Sequence, residues 1–380
     1  MNPLEELVAK RVGRFGPLPF DQVMDLALYH PELGFYVSGG RAGRRGDFLT
    51  SPEVGPLFGA VVARALDGWW EEMGRPDPFV VVEAGAGTGM LARTVLLAKP
   101  ACAKALRYVL VERSAALRVE HGRSLELTPP SFGLGPARLD ADGIERPSQI
   151  GVGPVVVSLG ELPALDRPVV VLANELLDNL AFRILHRGDR RWQEVRVGID
   201  GEEVRLTEVL VPAEDDQVRA VGALAPDAPT GARVPVQDEA GRWLRRALHL
   251  AAPGGRVVCF DYAARTADLA ARPIEGWLRT YAGHDRGGPV LDRLGQQDIT
   301  SDVCVDQLAR VRAPAREVGQ ADWLAEHGID QLVDEGRRVW SDRAPVADLE
   351  ALRARSRVSE AEALLDPTGL GGFRVLEWHA

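Results

Sequence analysis

The stretch "FVVVEAGAGTGML", Phe79–Leu91, decides the fold. Phe79 and three β-branched valines form a continuous apolar run, the pattern of a short strand buried on both faces. Glu83 follows, and then Gly85, Gly87 and Gly89 alternate with Ala86 and Thr88. The run "MLARTVLLAKP" continues as a helix closed by Pro100. Strand, tight turn and helix make the first half of a βαβ unit. Its glycines let backbone approach a ligand closely, and its helix N-terminus offers unpaired N–H groups.

The same alternation extends outward. "RYVLVER" (107–113), "ARLDAD" (137–142), "GPVVVSLG" (153–160), "RPVVVLANE" (167–175) and "GGRVVCFDY" (254–262) read as further strands, and "GGFRVLEWHA" as the last one. Such runs separated by helices predict an α/β fold with a mostly parallel sheet. "PFDQVMDLALYH" and "VGPLFGAVVARALDGWWEEMG" predict a helical N-terminal segment over residues 1–75, followed by the core over 76–380. Insertions are expected at about 186–240, with an antiparallel hairpin at "IDGEE", and at 263–365, read as mostly helical.

The glycine spacing selects among cofactors. A dinucleotide turn wants G-x-G-x-x-G, but counting from Gly85 puts Met90 at the third glycine. The pattern is E-x-G-x-G-x-G, the form used for S-adenosylmethionine, in which Glu83 faces the ammonium and Gly85, Ala86, Gly87 and Gly89 form the turn. The second strand ends in Glu112, an acceptor for ribose hydroxyls; Asp140, in the expected third strand, is an acceptor toward the adenine. The alternative is that these acids cap the helices that follow them.

Bulk properties exclude other classes. The 380 residues are 46% hydrophobic and carry a net charge of −10, which argues against nucleic acid as the main partner. Histidines lack ligand spacing, so no metal site is expected. Cys102, Cys259 and Cys304 are far apart, which fits a reducing compartment. No apolar run approaches the roughly 20 residues of a membrane span. The expectation is a cytoplasmic protein without a membrane partner.

Six blocks now occur in order: "GDFLTSPEVGPLFG" (46–59), "VVEAGAGTGML" (81–91), "ANELLDNLAFRIL" (173–185), "GGRVVCFDY" (254–262), "DITSDV" (298–303) and "GQADWLAEHGI" (319–329). Together the chain resembles the MidA-like family of class I methyltransferases, which includes a mitochondrial complex I assembly factor that methylates a protein arginine. The resemblance implies a Rossmann-like seven-stranded core with helical additions, and activity toward a protein arginine; the negative charge of the chain favours a basic, arginine-containing acceptor segment through long-range attraction, and a homodimer is an open expectation. The chain departs from the family where Leu176 and Leu177 replace two aromatics, Asn179 replaces Ala, and Ala181 replaces Pro. These replacements keep open an acceptor that is a small molecule or another protein residue. A non-catalytic scaffold of the same fold is the third reading.

Asn174, Glu175 and Asp178 follow the expected fourth strand, and ligands of open parallel sheets bind outside such carboxyl ends. A carboxylate that accepts two guanidinium N–H groups orients an arginine for attack on a methyl group. Glu175 is the candidate for that task, Asp178 a second carboxylate or proton acceptor, and Asn174 an orienting amide; Asp261-Tyr262 end the fifth strand beside them. Capping of the next helix is the structural alternative for Asn174 and Asp178. In "GDFLTSPE", Ser51-Pro52 reads as an N-cap followed by Pro at the first helical position. The functional reading of the same loop is a lid that brings Thr50 and Ser51 over the cofactor.

Overall fold

A computed structural model describes residues 1–37, 50–134, 138–139, 145–146, 152–201, 205–283, 285–345 and 348–380. Two compact units are each assembled from three stretches of chain. The first comprises Met1–Phe48, Glu175–Arg246 and Asp261–Pro314; the second comprises Leu49–Asn174, Ala247–Phe260 and Ala315–Ala380.

The second unit is built on a seven-stranded sheet of β1 (Phe79–Ala84), β2 (Leu106–Val111), β3 (Val155–Leu159), β4 (Val169–Asn174), β5 (Arg256–Asp261), β6 (Arg316–Gly319) and β7 (Arg374–His379). The spatial order is 6-7-5-4-1-2-3. From β5 through β4, β1 and β2 to β3 the pairs are parallel, whereas β6 and β7 pair antiparallel. Every residue of β1 and β2 is buried, as expected for parallel strands covered on both faces. The α/β class and the mostly parallel sheet are therefore as the sequence predicts.

Register fixes the functional edge. Ala84 pairs with Val111 on β2 and Ala173 on β4, and Asn174 pairs with Phe260 on β5. The glycine turn after β1, Glu112 after β2 and Asn174 at the end of β4 thus leave the sheet at the same carboxyl edge. Helix Pro56–Glu72 approaches helix Met90–Leu97 so closely at Gly59 that a Cβ there would lie 2.1 Å from the Thr94 hydroxyl.

One strand differs from expectation. "ARLDAD" is not the third strand: Arg138–Leu139 pair antiparallel with Glu145–Arg146, outside the seven-stranded sheet, and Val155–Leu159 takes the third place. The physical reason is burial, because the uninterrupted "VVVSL" suits a doubly covered position and the alternating acids of "ARLDAD" do not. Asp140 lies outside the described residues.

The first unit opens with helix Pro3–Phe15. Its N-cap Asn2 accepts from the Leu4 and Glu5 amides while Glu5 accepts from the Asn2 amide, a complete capping box. That helix and Phe20–Tyr29 bury Leu4, Val8, Met24 and Leu28 with Ile184, Val195, Trp277 and Ile299. A five-stranded antiparallel sheet contains Arg183–Arg187, Trp192–Asp200, Arg205–Pro212 and Arg233–Val236. The expected hairpin is present, with Asp200 opposite Arg205. The stretch after residue 263 is less helical than expected up to residue 314. Leu278–Ala282 pairs antiparallel with Asp298–Ser301, and Ala263–Ala264 pairs with Val303–Cys304. Helices prevail only later, in Gln320–Glu326, Ile329–Arg343 and Leu349–Leu365.

Candidate functional site

In the second unit, the glycine turn is held almost entirely by backbone. Gly85, Gly87 and Gly89 have φ of 69°, 54° and 80°, values that only glycine adopts readily. The Gly85 and Ala86 amides donate to the Val111 carbonyl at the end of β2, and the Gly89 amide returns to the Ala86 carbonyl. Gly89 then caps helix Met90–Leu97 with no side chain satisfying its first amides, the arrangement that suits an anionic or polar ligand.

Glu112 braces this turn. One carboxylate oxygen accepts from the Gly87 amide at 3.0 Å and the other from the Ser114 amide at 2.7 Å. Each oxygen keeps a second lone pair, so acceptor capacity remains for hydroxyl donors. Burial raises its pKa, against the lowering effect of those two amides. On the other side of Gly87, His121 Nε2 lies 2.9 Å from the carbonyl, and Nδ1 lies 2.9 Å from the Ser158 hydroxyl.

Glu83 is 4% exposed, and Tyr108 donates its hydroxyl to it at 2.7 Å. Burial pushes its pKa up to about 8, with the Tyr108 hydroxyl and the Ala92 amide opposing. The structure therefore engages Glu83 beside the turn with its own phenol and amide donors.

The cradle fits S-adenosylmethionine. A Cβ built on Gly87 meets nothing within 4 Å. The buried acid Glu112 follows β2, and a second, Glu83, is the penultimate residue of β1. Gly85, Ala86, Gly87, Gly89 and Glu112 would hold the cofactor.

Thr50 and Ser51 belong to the same unit. The N-cap of the short helix Ser51–Val54 is Thr50, not Ser51, and Pro52 stands one position beyond the first helical residue. Ser51 is fully buried and accepts from the Gln320 side-chain amide at 3.1 Å. Its packing explains the shift, because a hydroxyl committed to Gln320 belongs inside the helix rather than at its cap.

The first unit carries a separate cluster of acids. The chain leaves β4 at Asn174, and Glu175 follows with φ of 50°, a left-handed conformation uncommon for a residue with a side chain. A short 3-10 turn, Leu177–Asn179, comes next. Asp261, the residue after Phe260 on β5, accepts from the Leu177 amide at 2.9 Å and the Asp178 amide at 3.4 Å. It thereby holds the turn that follows Glu175.

Asp178 is buried and accepts from the Thr300 hydroxyl at 2.5 Å. The second oxygens of Asp178 and of Asp261 are buried without a donor among the described residues. Burial pushes Asp178 up to about 6, opposed by Thr300 and Arg279. Burial, Asp178 and Glu175 hold Asp261 well above the usual carboxylate range. Asp298 rises to about 7, chiefly by burial, while accepting from the Tyr36 hydroxyl at 2.9 Å and the Asn179 amide at 3.2 Å. The Asn179 amide also donates to the Ile299 carbonyl at 3.0 Å. The departure from the family's Ala at this position is thus a structural tie to the strand Asp298–Ser301. Arg279 lies over the Tyr262 ring at 4.6 Å and pairs with Asp302 at 2.7 Å.

Of the residues singled out in the sequence, Glu175, Asp178 and Asp261 come together in the first unit, and Glu83, Gly85, Ala86, Gly87, Gly89 and Glu112 in the second. Sequence reasoning missed His121, Tyr36, Arg279, Asp298 and Thr300. Only the last two left a signal, since both lie in the "DITSDV" block (298–303); its buried polar residues became apparent only in the fold.

Known proteins share the fold and the cofactor. The model of a family described as "Putative S-adenosyl-L-methionine-dependent methyltransferase" matches residues 61–320. The mouse mitochondrial protein arginine methyltransferase NDUFAF7 is 26% identical over 352 residues, 87% of this chain and 75% of that protein. Its Drosophila melanogaster homolog is 46% identical over 81 residues, 21% of this chain and only 18% of that protein. A Burkholderia thailandensis crystal structure, titled a "likely methyl transferase" bound to S-adenosyl-homocysteine, superimposes with a TM-score of 0.80 at 25% identity. It covers 99% of this chain and 92% of that one. The chain belongs to this family of S-adenosyl-L-methionine-dependent methyltransferases, and S-adenosylmethionine is its cofactor.

Proposed function

We propose that the chain transfers the methyl group to an arginine side chain of a protein. The observation that carries this reading is the set of acids in the first unit, Glu175, Asp178 and Asp261, where burial first and then the charges of Asp178 and Glu175 raise Asp261. A guanidinium is a permanent cation with a planar fork of donors, and it matches paired carboxylates better than any other side chain. The names of the mouse and Drosophila relatives support the same acceptor.

When bound, S-adenosylmethionine supplies an electrophilic methyl group with a neutral thioether as leaving group. The chain's own task is to position the acceptor and remove its proton, and positioning alone can contribute roughly 7–11 kcal/mol in the best cases. Glu175 is half-buried, whereas Asp178 and Asp261 are fully buried. Glu175 therefore takes the direct contact with two guanidinium N–H groups. Asp178 and Asp261 stabilise the cation through their field, and Asp178 receives the proton.

The test is incubation with S-adenosylmethionine labelled in the methyl group and a panel of arginine-containing proteins, followed by hydrolysis to amino acids. Label recovered as methylarginine is the expected result. Label on another residue or on a small molecule overturns the arginine assignment while leaving the cofactor intact. We also place the protein in the cytoplasm, on the support of three buried cysteines that form no disulfide among the described residues; recovery in a membrane or exported fraction contradicts that placement.

A further inference from the structure

The peptide between Gly87 and Thr88 is held from one end only. The Gly87 carbonyl meets His121 Nε2 at 2.9 Å. A peptide unit is planar and trans, so fixing the carbonyl fixes the following N–H in the opposite direction. That N–H belongs to Thr88, which is half-buried and donates to no acceptor among the described residues. Glycine at 87 leaves the flanking torsions soft, and without a tie at the carbonyl this peptide plane could rotate. Glu112 restrains the preceding amide, that of Gly87 itself, and does not control the plane that carries Thr88 N–H.

The chemistry of the tie is specific. A carbonyl only accepts, so Nε2 must carry the hydrogen. The ring is fully buried, and burial favours its neutral form. In the neutral ring Nδ1 is then an acceptor, and the Ser158 hydroxyl at 2.9 Å is its donor. Ser158 lies near the end of β3, and His121 lies on the helix Ala115–Ser124 that follows β2. The ring edge also stands 3.3 Å from where a Gly89 side chain would begin. One imidazole therefore sets a peptide plane in the cofactor turn and closes the space beside it.

We propose that His121 is a positioning residue for the methyl donor: protonated on Nε2 and oriented by Ser158, it holds the Gly87 carbonyl so that the Thr88 N–H is presented as a hydrogen-bond donor to S-adenosylmethionine. The inference rests on cofactor binding and is independent of the acceptor.

The test compares His121→Phe, which keeps ring volume without a donor, with His121→Gln, whose amide nitrogen reaches about as far as Nε2. S-adenosylmethionine affinity is measured by calorimetry, and the melting temperature is measured without ligand. Loss of one hydrogen bond from the cradle weakens binding about ten-fold in His121→Phe, and His121→Gln recovers to within about three-fold of the parent. Parent-like affinity in His121→Phe, or equal losses in both variants, overturns the proposal. If His121→Phe does not fold, the nitrogen-15 spectrum of the parent imidazole decides. A protonated Nε2 with an unprotonated Nδ1 is expected, and the opposite tautomer overturns the assignment.

Discussion

The two units present polar groups in opposite ways. The cofactor turn of the second unit is mostly backbone: three glycines at positive φ, amides tied to Val111, and two side chains, Glu112 and His121, gripping the peptide groups of Gly87. The acidic cluster of the first unit is mostly side chain: Asp178, Asp261, Asp298, Thr300, Tyr36 and Asn179, drawn from four separate stretches. A backbone cradle is specified by local sequence, because spacing and glycine content set it. A side-chain cluster is specified by tertiary structure, because each group owes its pKa and its partner to residues far away.

The largest effect expected from this contrast is on methyl transfer. Glu175→Gln removes one charge from the acidic cluster and leaves the glycine turn intact. Turnover should fall by about 10²–10⁴-fold while calorimetric affinity for S-adenosylmethionine stays near that of the parent. Equal loss of both would break the division of labour between the units.

Glu112→Ala is the reciprocal experiment. It deletes the acceptor of the Gly87 and Ser114 amides. Two charge-assisted bonds to backbone should cost about 100-fold in cofactor affinity. A change below about three-fold, read by calorimetry, would mean that the turn holds its shape without the carboxylate.

Thr300→Val sharpens the comparison from the other side. It is close to isosteric and strips Asp178 of its hydroxyl donor. A buried acceptor left unpaired costs roughly 1–3 kcal/mol, measurable by urea unfolding, and cofactor affinity should not move.

The smallest and broadest effect is pH dependence. Burial raises Glu83 to about 8, Asp298 to about 7 and Asp178 to about 6. A carboxyl whose folded pKa exceeds its unfolded value holds its proton more tightly when folded. Its contribution to stability is complete below pH about 4 and is lost as pH rises through the folded value. The melting temperature should therefore fall between pH 5.5 and 8.5, apart from any alkaline effects. Asp298→Asn should remove the middle part of that fall and Glu83→Gln the late part. A melting temperature that rises over this range would contradict the burial of all three.

The same contrast explains what was legible in the sequence. The parallel sheet, the cofactor turn and Glu112 were readable because continuous valine runs and glycine spacing carry them locally. The third strand was misplaced because "ARLDAD" offered a conspicuous acid, whereas the plain "VVVSL" run met the requirement of two-sided burial. Asp178 and Glu175 were visible as polar residues just past a buried strand. Their setting was not, since Thr300 lies 122 positions from Asp178. His121 gave no warning at all: its helix has no strong apolar stripe, and its partners are a carbonyl and a serine hydroxyl.

The empty space beside Gly87 has a practical consequence. Since a Cβ there meets nothing within 4 Å, the obstacle to alanine is the φ of 54° alone, a cost of roughly 1–2 kcal/mol. Gly87→Ala should give a folded protein that carries a methyl group where the donor has to approach. Such a variant, intact in shape but blind to its cofactor, separates what the chain accomplishes by transferring a methyl group from what it accomplishes merely by being present, in a cell as well as in a test tube.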